Sequence, residues 1–350
     1  MEEKTNLLGL SLTELETAVI GLGERPFRAR QIYRSIYRRR QFEIGEMTDL
    51  AKDFKQRLTS QFTVAPPQVA RVFQSHDGTR RYLLTLTDGQ AIESVYIPEA
   101  RRRTICISTQ VGCAMGCTFC VTATMGLVRH LQAGEIVGQV LMILNDVGET
   151  RDGSTRLNVV LMGMGEPLHN YDQTVKALAL MADVRGMNIS PKRITLSTSG
   201  VVPALKKLAE EPVVPNLAIS LNASSNAQRA ALMPINHRWN LQELLQTCRD
   251  FPLPPGRRIT FEYVLIAGVN DTIADAHRLT KLLGGQRVKV NLIPLNWDPR
   301  LNGVATPAGD RILAFQRVLA DHHLTAMIRR PRGLDISAAC GQLVARQQEH

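Results

Sequence analysis

The chain has 350 residues, of which 44% are hydrophobic, and carries a formal net charge of +10. That length buries a sizeable core, as one large domain with a smaller appendage, and no apolar run approaches the ~18 residues that cross a bilayer. The basic excess points to a polyanionic partner, nucleic acid first. Six cysteines, with no basic-then-apolar leader at Met1–Asn6, point to a reducing compartment, by default the cytoplasm.

Residues 1–63 read as a helical accessory domain. Ser11-Leu-Thr-Glu14 is a capping box ahead of an apolar-periodic run. Pro26 suits the first turn of the next helix, where Ile32, Tyr33, Ile36 and Tyr37 share a face and the tyrosines are expected in the core. Thr48 is the expected cap of a third helix. Arg34, Arg38, Arg39 and Arg40 end the second helix, Arg101–Arg103 precede a strand, and Arg329, Arg330 and Arg332 follow one. Singly these are solvated faces; together they favour phosphate contacts.

Pro66-Pro67 marks a linker, and residues 64–100 read as a small antiparallel β unit turning at Asp77-Gly78 and Asp88-Gly89. Within it Glu93 alternates with Ile92 and Ser94; by spacing alone it is a surface carboxylate. Residues 101–350 alternate short apolar strands with helices. Strands are expected at Thr104–Ser108, Leu157–Met162, Arg193–Ser197, Asn216–Ser220, Arg258–Val264, Val288–Ile293 and Leu324–Arg329. The fold class is therefore α/β, and six or seven units fall short of a closed eight-stranded barrel, giving a partial (βα)6-type barrel. Chemistry in βα barrels sits at the C-terminal ends of the strands.

Cys113, Cys117 and Cys120, spaced Cys-x3-Cys-x2-Cys, follow the first of these strands. Three thiolates on one loop can hold a cubane iron–sulfur cluster and leave its fourth iron open. Structural zinc wants a fourth ligand at knuckle spacing, and the nearest histidine, His130, lies ten residues beyond Cys120. Zinc and bystander thiols remain the alternatives. Gly163-Met-Gly165-Glu166-Pro167 ends the second strand, with glycines for close backbone approach and a carboxylate that can receive an ammonium group. Ser197, Ser220-Leu221-Asn222 and Asn296 sit at three further strand ends, as a ring of small polar groups round one ligand. Cys106 alternates with Ile105 and Ile107 and faces the interior if they pack outward. Cys340 stands among Gly and Ala, which leaves its sulfur accessible, whereas Cys248 lies in an amphipathic helix and reads as structural.

The stretches Ile92–Pro98, Cys106–Cys113, Gly163–Leu168, Leu196–Gly200, Asn291–Asn296 and Asp335–Leu343 resemble, in order, the radical S-adenosylmethionine RNA methyltransferases that modify C2 of adenosine in 23S ribosomal RNA and transfer RNA. The second of these stretches reads Cys106-Ile-Ser-Thr-Gln-Val-Gly112-Cys113, and the likeness runs over nearly the whole chain. The resemblance implies that Cys113, Cys117 and Cys120 bind a [4Fe–4S] cluster. It implies that Gly165, Glu166, Ser197, Ser220, Leu221, Asn222 and Asn296 contact S-adenosylmethionine, two molecules of which serve each turnover. By the same resemblance Cys340 is the cysteine that becomes S-methylated, Cys106 its redox partner and Glu93 a proton acceptor. It further implies an RNA–protein adduct resolved by a disulfide, an outside electron donor such as a flavodoxin, no membrane partner, and a monomer. Asn222 stands where the family usually has His, and Leu295 where an aromatic is more usual. A relative that methylates C8 and confers antibiotic resistance reads Gly-Glu-Ala at Gly165-Glu166-Pro167; a non-catalytic iron–sulfur RNA-binding regulator would need neither Cys106 nor Cys340.

Overall fold

The structure is a computed structural model that describes residues 4–148 and 156–345. Residues 1–3 and 346–350, at the outer ends of the first and last expected domains, and residues 149–155 lie outside the described residues.

The N-terminal region runs β1 (Thr5–Asn6), α1 (Leu12–Gly21), α2 (Phe27–Tyr37), α3 (Lys52–Gln61) and β2 (Phe62–Thr63), with β1 and β2 paired in parallel. Ser11 opens α1 as the sequence predicts: its hydroxyl accepts from Glu14 N, and the Glu14 carboxylate accepts from Ser11 N at 2.7 Å. Tyr33 and Tyr37 are buried, their hydroxyls donating to Asp183 Oδ2 and Leu10 O, both at 3.0 Å. Thr48 does not cap α3. The helix begins at Lys52, four residues later, after an N-cap Ala51 that has no side-chain cap, because Leu50 is first drawn into the core.

Next come β3 (Gln68–Gln74), β4 (Arg80–Thr85) and β5 (Ala91–Glu99), an antiparallel meander that turns at Asp77-Gly78 and Asp88-Gly89, both glycines at positive φ. The rest of the chain supplies β6 (Arg102–Cys106), β7 (Gln110–Gly112), β8 (Leu127–His130), α4 (Ala133–Asp146), β9 (Arg156–Leu161), α5 (Tyr171–Ala182), β10 (Ile194–Thr198), α6 (Val202–Leu208) and β11 (Asn216–Ser220). It closes with α7 (Asn226–Leu232), α8 (Leu241–Asp250), β12 (Ile259–Leu265), α9 (Ile273–Leu283), β13 (Val288–Pro294), α10 (Gly309–Asp321) and β14 (Thr325–Ile328).

The long strands form one ten-stranded sheet in the order β14-β13-β12-β11-β10-β9-β6-β5-β4-β3. It is parallel from β6 to β14 and antiparallel from β6 to β3. Sequential βα units of this kind wind the strands in chain order, with helices outside. The edges are β14 and β3, so the barrel stays open. The meander is thus continuous with the barrel wall.

Strand alternation decides what lines the interior. On β12, Phe261 and Tyr263 are fully buried on the helix side, the Tyr263 ring 5.4 Å from Phe315 of α10. Thr260 and Glu262 therefore face inward. Cys248 is buried in α8, in line with a structural role.

Pro66 and Pro67 are packed rather than loose. A Cβ on Gly138 of α4 would meet Pro67 Cδ at 2.5 Å, and one on Gly134 would meet Leu8 O at 2.2 Å. Helix α4 thus accepts the N-terminal region through two bare glycines, without an intervening layer of side chains. Among the described residues no helix is long and apolar enough to cross a membrane.

Candidate active site

The cysteine loop leaves β7 at Cys113 and returns through a 3-10 turn, Val121–Met125, into β8. Pairing of β7 with β8 and the Cys113 N to Gly126 O bond (2.8 Å) close its base. Its far side rests on the α7 end, where Thr118 N donates to Leu232 O at 3.1 Å and Met115, Cys117 and Phe119 pack on Leu232, Met233, Ile235, Ile266 and Leu295. Leu295 therefore fills an apolar floor beneath the loop. The three thiols are free and partly buried. Burial pushes the Cys113 thiol up to about 12, and Cys120 adds to the shift; burial also raises Cys117, which its two neighbours raise further. Three such thiolates are costly without a cation among them. A cluster core supplies that positive charge, so the donor set fits a cubane. Among the described residues no three His, Cys, Asp or Glu side chains converge as they would on a single metal ion.

Glu166 lies at the end of the strand next to β6. Its Oε2 accepts from Ser199 N at 2.7 Å and its Oε1 from Leu168 N at 3.0 Å. Full burial raises its pKa, against those bonds. Gly165 has φ +99°, and a Cβ there would meet Gln110 Cβ at 2.5 Å, so the backbone must approach Gln110 closely. Ser197 and Ser220 are half-buried at the ends of β10 and β11. Leu221 is wholly buried: its N donates to Glu262 O at 3.0 Å and its O accepts from Arg229 Nε at 3.2 Å. Asn222 takes φ +55°, a conformation Asn tolerates. Its Oδ1 accepts from Val264 N at 2.8 Å and its Nδ2 reaches Met233 Sδ at 3.3 Å, so the carboxamide ties β11 to β12.

Cys340 sits on a loop tied to several separate parts of the fold. Asn296 Nδ2 donates to Cys340 O at 3.0 Å, and Val121 N donates to Gly341 O at 2.7 Å. Thr122 Oγ1 donates to Leu343 O at 2.7 Å and Gln342 Nε2 to Trp297 O at 3.0 Å. Farther back, Ser75 Oγ donates to Asp335 Oδ1 at 2.6 Å and Gly333 N to Asp77 Oδ2 at 3.2 Å. Cys340 is exposed by area, yet enough protein surrounds its sulfur to desolvate it. Desolvation, then the Glu262 carboxylate, push its thiol up to about 11. Cys106 is buried; burial first, then the charge of Cys340, raise its thiol. The two free thiols are thus near enough for the charge of one to be felt by the other, and Cys106 is buried between Ile105 and Ile107 of the same strand segment.

Glu93 is 1% exposed, which corrects the surface reading from spacing alone. Its strand is interior to the sheet, and its side chain turns under the Cys340 loop. There Glu93 pairs with Arg81 and its Oε2 accepts from Val344 N at 2.9 Å. Burial raises its pKa, with Arg81 opposing.

Three features escape a reading of the sequence. Arg229 of α7 is 1% exposed and donates to Ser199 O (2.6 Å), Ser220 O (3.1 Å) and Asn236 Oδ1 (3.2 Å), with its pKa lowered by burial to about 10. Nothing in the stretch Asn226–Leu232 marks that arginine as internal. Glu262 accepts from Asn291 Nδ2 at 2.8 Å inside the barrel, while Asn291 Oδ1 is buried without a partner among the described residues. A charge alternating with Phe261 and Tyr263 was the available signal for this pair. Trp297 stands exposed on the loop after β13. The unpaired Asn291 Oδ1, the inward carboxylate and the polar strand ends fit a polar, charged cofactor such as S-adenosylmethionine.

Residues 107–280 match the Radical SAM superfamily, and residues 5–64 match the ribosomal RNA large subunit methyltransferase N-terminal domain. The chain is similar to the dual-specificity RNA methyltransferase RlmN of Anaeromyxobacter sp. (strain Fw109-5), with 50% identity over 98% of this chain and 92% of that protein. It is 47% identical to the protein of that name from Syntrophobacter fumaroxidans, over 96% of each chain. Among solved structures it resembles a radical SAM methyltransferase from Sphaerobacter thermophilus, with a TM-score of 0.93, 43% identity, and coverage of 98% of this chain and 100% of that one. The chain belongs to the dual-specificity RNA methyltransferase RlmN family of the radical SAM superfamily.

Proposed function

We propose that this RNA methyltransferase methylates C2 of a specific adenosine in 23S ribosomal RNA and in transfer RNA, with Cys340 as methyl carrier and Cys106 as resolving thiol. The observation that carries the reading is a pair of free thiols within electrostatic reach of each other, Cys106 buried on the first barrel strand and Cys340 exposed on the loop that Asn296 holds. Cys113, Cys117 and Cys120 would hold the [4Fe–4S] cluster. Gly165, Glu166, Ser197, Ser220 and Asn296 would line the S-adenosylmethionine site, while Leu221 and Asn222 would act through the backbone and through the tie between β11 and β12. When bound, the cluster and S-adenosylmethionine supply a 5′-deoxyadenosyl radical.

Adenine C2 lies between two ring nitrogens and is too electron-poor to displace a methyl group as a nucleophile. A thiolate can do so. Cys340 therefore takes the methyl group from a first S-adenosylmethionine. Hydrogen abstraction from that methyl group, at the expense of a second, leaves a carbon radical that adds to C2 and joins protein to RNA. The adduct radical would give one electron back to the outside electron carrier and its C2 proton to Glu93, or to Cys106, which would then release it. The Cys106 thiolate would attack the Cys340 sulfur and break its bond to the methylene carbon, which would take up a proton to become the methyl group and leave a Cys106–Cys340 disulfide. An outside donor, such as a flavodoxin, provides the electron for each cleavage of S-adenosylmethionine, and a thiol reductant reopens the disulfide. These needs suit the reducing cytoplasm.

Cys106→Ala tests the resolving role. A protein–RNA adduct that survives denaturing electrophoresis is expected, whereas freely released, fully methylated RNA contradicts it.

A further inference from the structure

We propose that Trp297 and Arg329 form a subsite, on the rim of the barrel mouth beside Cys340, for an unpaired nucleotide flanking the target adenosine. The proposal rests on the RNA methyltransferase reading of the same mouth.

Trp297 is 57% exposed, while the chain's other tryptophan, Trp239, packs against the core. An isolated exposed aromatic is ordinary on a protein surface. This one lies on the segment that holds the Cys340 loop. Its neighbour Asn296 donates to Cys340 O, its own carbonyl accepts from Gln342 Nε2 at 3.0 Å, and Arg300 Nη2 reaches Gln342 O at 3.4 Å. Arg300 is itself fixed by Asp298 through two bonds of 2.7 and 2.6 Å. The backbone on both sides of the indole is thus tied down, and the ring alone is left to the solvent. A rigid aromatic presented in this way loses little conformational freedom when a base stacks on it.

Arg329 follows β14, the strand next to β13. Its N donates to Leu292 O at 2.8 Å, so it leaves the sheet at the same end as Trp297. It is exposed and makes no ion pair among the described residues, yet its charge is felt at Cys340 and at Glu262. The carboxylates that feel its charge, Glu262 and Glu99, form no ion pair with it among the described residues, Glu99 being paired with Arg102, so the guanidinium is left to take a backbone phosphate. An adenine presented to a thiol must leave its stack, and the nucleotide beside it is then unstacked on one face. The indole would cover that face while Arg329 takes the adjoining phosphate.

The test uses the cluster-loaded protein and an RNA stem-loop whose unpaired loop carries the target adenosine. With Trp239→Phe as the parent, RNA should quench the emission of Trp297. Trp297→Ala should raise Kd by roughly 5- to 150-fold, the range that one stacked base supplies, and Trp297→Phe should recover most of the loss. Arg329→Ala should reduce the slope of log Kd against log salt by about one. Unfolding temperature and iron content report the integrity of each variant. Unquenched emission on bound RNA, a Kd within twofold for Trp297→Ala, or an unchanged salt slope for Arg329→Ala overturns the subsite while leaving the methyltransferase reading intact. Failure of the parent protein to bind the stem-loop at all would overturn both.

Discussion

Glu93 joins two distant parts of the fold at a single buried carboxylate. One oxygen pairs with Arg81 and the other accepts from Val344 N, four residues past Cys340, so the carboxylate proposed to receive a proton also holds the Cys340 loop in place. Removing one member of a buried ion pair leaves the other charge uncompensated, at a cost of about 3–5 kcal/mol. Arg81→Met should therefore destabilise the protein by an amount of that order in chemical denaturation, and loosen the Cys340 loop in hydrogen exchange. A loss below about 1 kcal/mol, the scale of exposed pairs, would show that Glu93 is not held this way. Spacing could not reveal this burial. Alternation along a strand gives the face of a residue but not what covers that face, and here the cover is a loop far downstream (Val344 lies 251 residues from Glu93). The exposure of Cys340 was legible from its small neighbours, while the role proposed for it comes from resemblance. Arg229 was not, because its partners are mostly backbone carbonyls that no side-chain pattern records.

The elements follow from local rules where the deciding contact is local. The Ser11 box and the two Asp-Gly turns act within a few residues, and each stands where the sequence puts it. Thr48 fails for a non-local reason: burial of Leu50 outweighs a cap that would be worth about 1 kcal/mol. The approach of α4 to the N-terminal region is likewise invisible locally. Gly134→Ala would drive a Cβ to 2.2 Å from Leu8 O, so the two regions must separate, and a destabilisation of roughly 1–3 kcal/mol in denaturant unfolding is expected. A neutral or stabilising result would contradict that packing.

The meander's link to the Cys340 loop carries a pH dependence. Burial opposes ionisation of Asp77, but bonds from Thr79, Gly333 and Ser75 outweigh it and hold its carboxyl at about 2, below its ordinary 3.8. A depressed carboxylate contributes its stability fully above the ordinary value and loses it as pH falls through the folded one. Exchange protection of residues 333–345 should therefore persist down to about pH 4 and decline between there and pH 2. Protection lost already near pH 6, or retained unchanged at pH 2 while Asp77 is protonated, would contradict the tether.

Across the whole molecule one sheet brings together groups far apart in sequence. The meander supplies Glu93, the first barrel strand Cys106, the following loop the cysteine triad, and β13 with the closing loop Asn296 and Cys340. The alternation of strands and helices made the open barrel legible, and with it the end at which the site lies. What the pattern omits is the closing loop's anchorage, since residues 333–344 form no regular strand and are placed by bonds to separate parts of the fold. The central claim is that Cys340 carries the methyl group. Nucleoside mass spectrometry of target RNA treated with the cluster-loaded protein tests it most directly. Wild-type protein should produce 2-methyladenosine, and Cys340→Ala with the same iron content should produce none; 2-methyladenosine from the variant at the wild-type level would contradict the account.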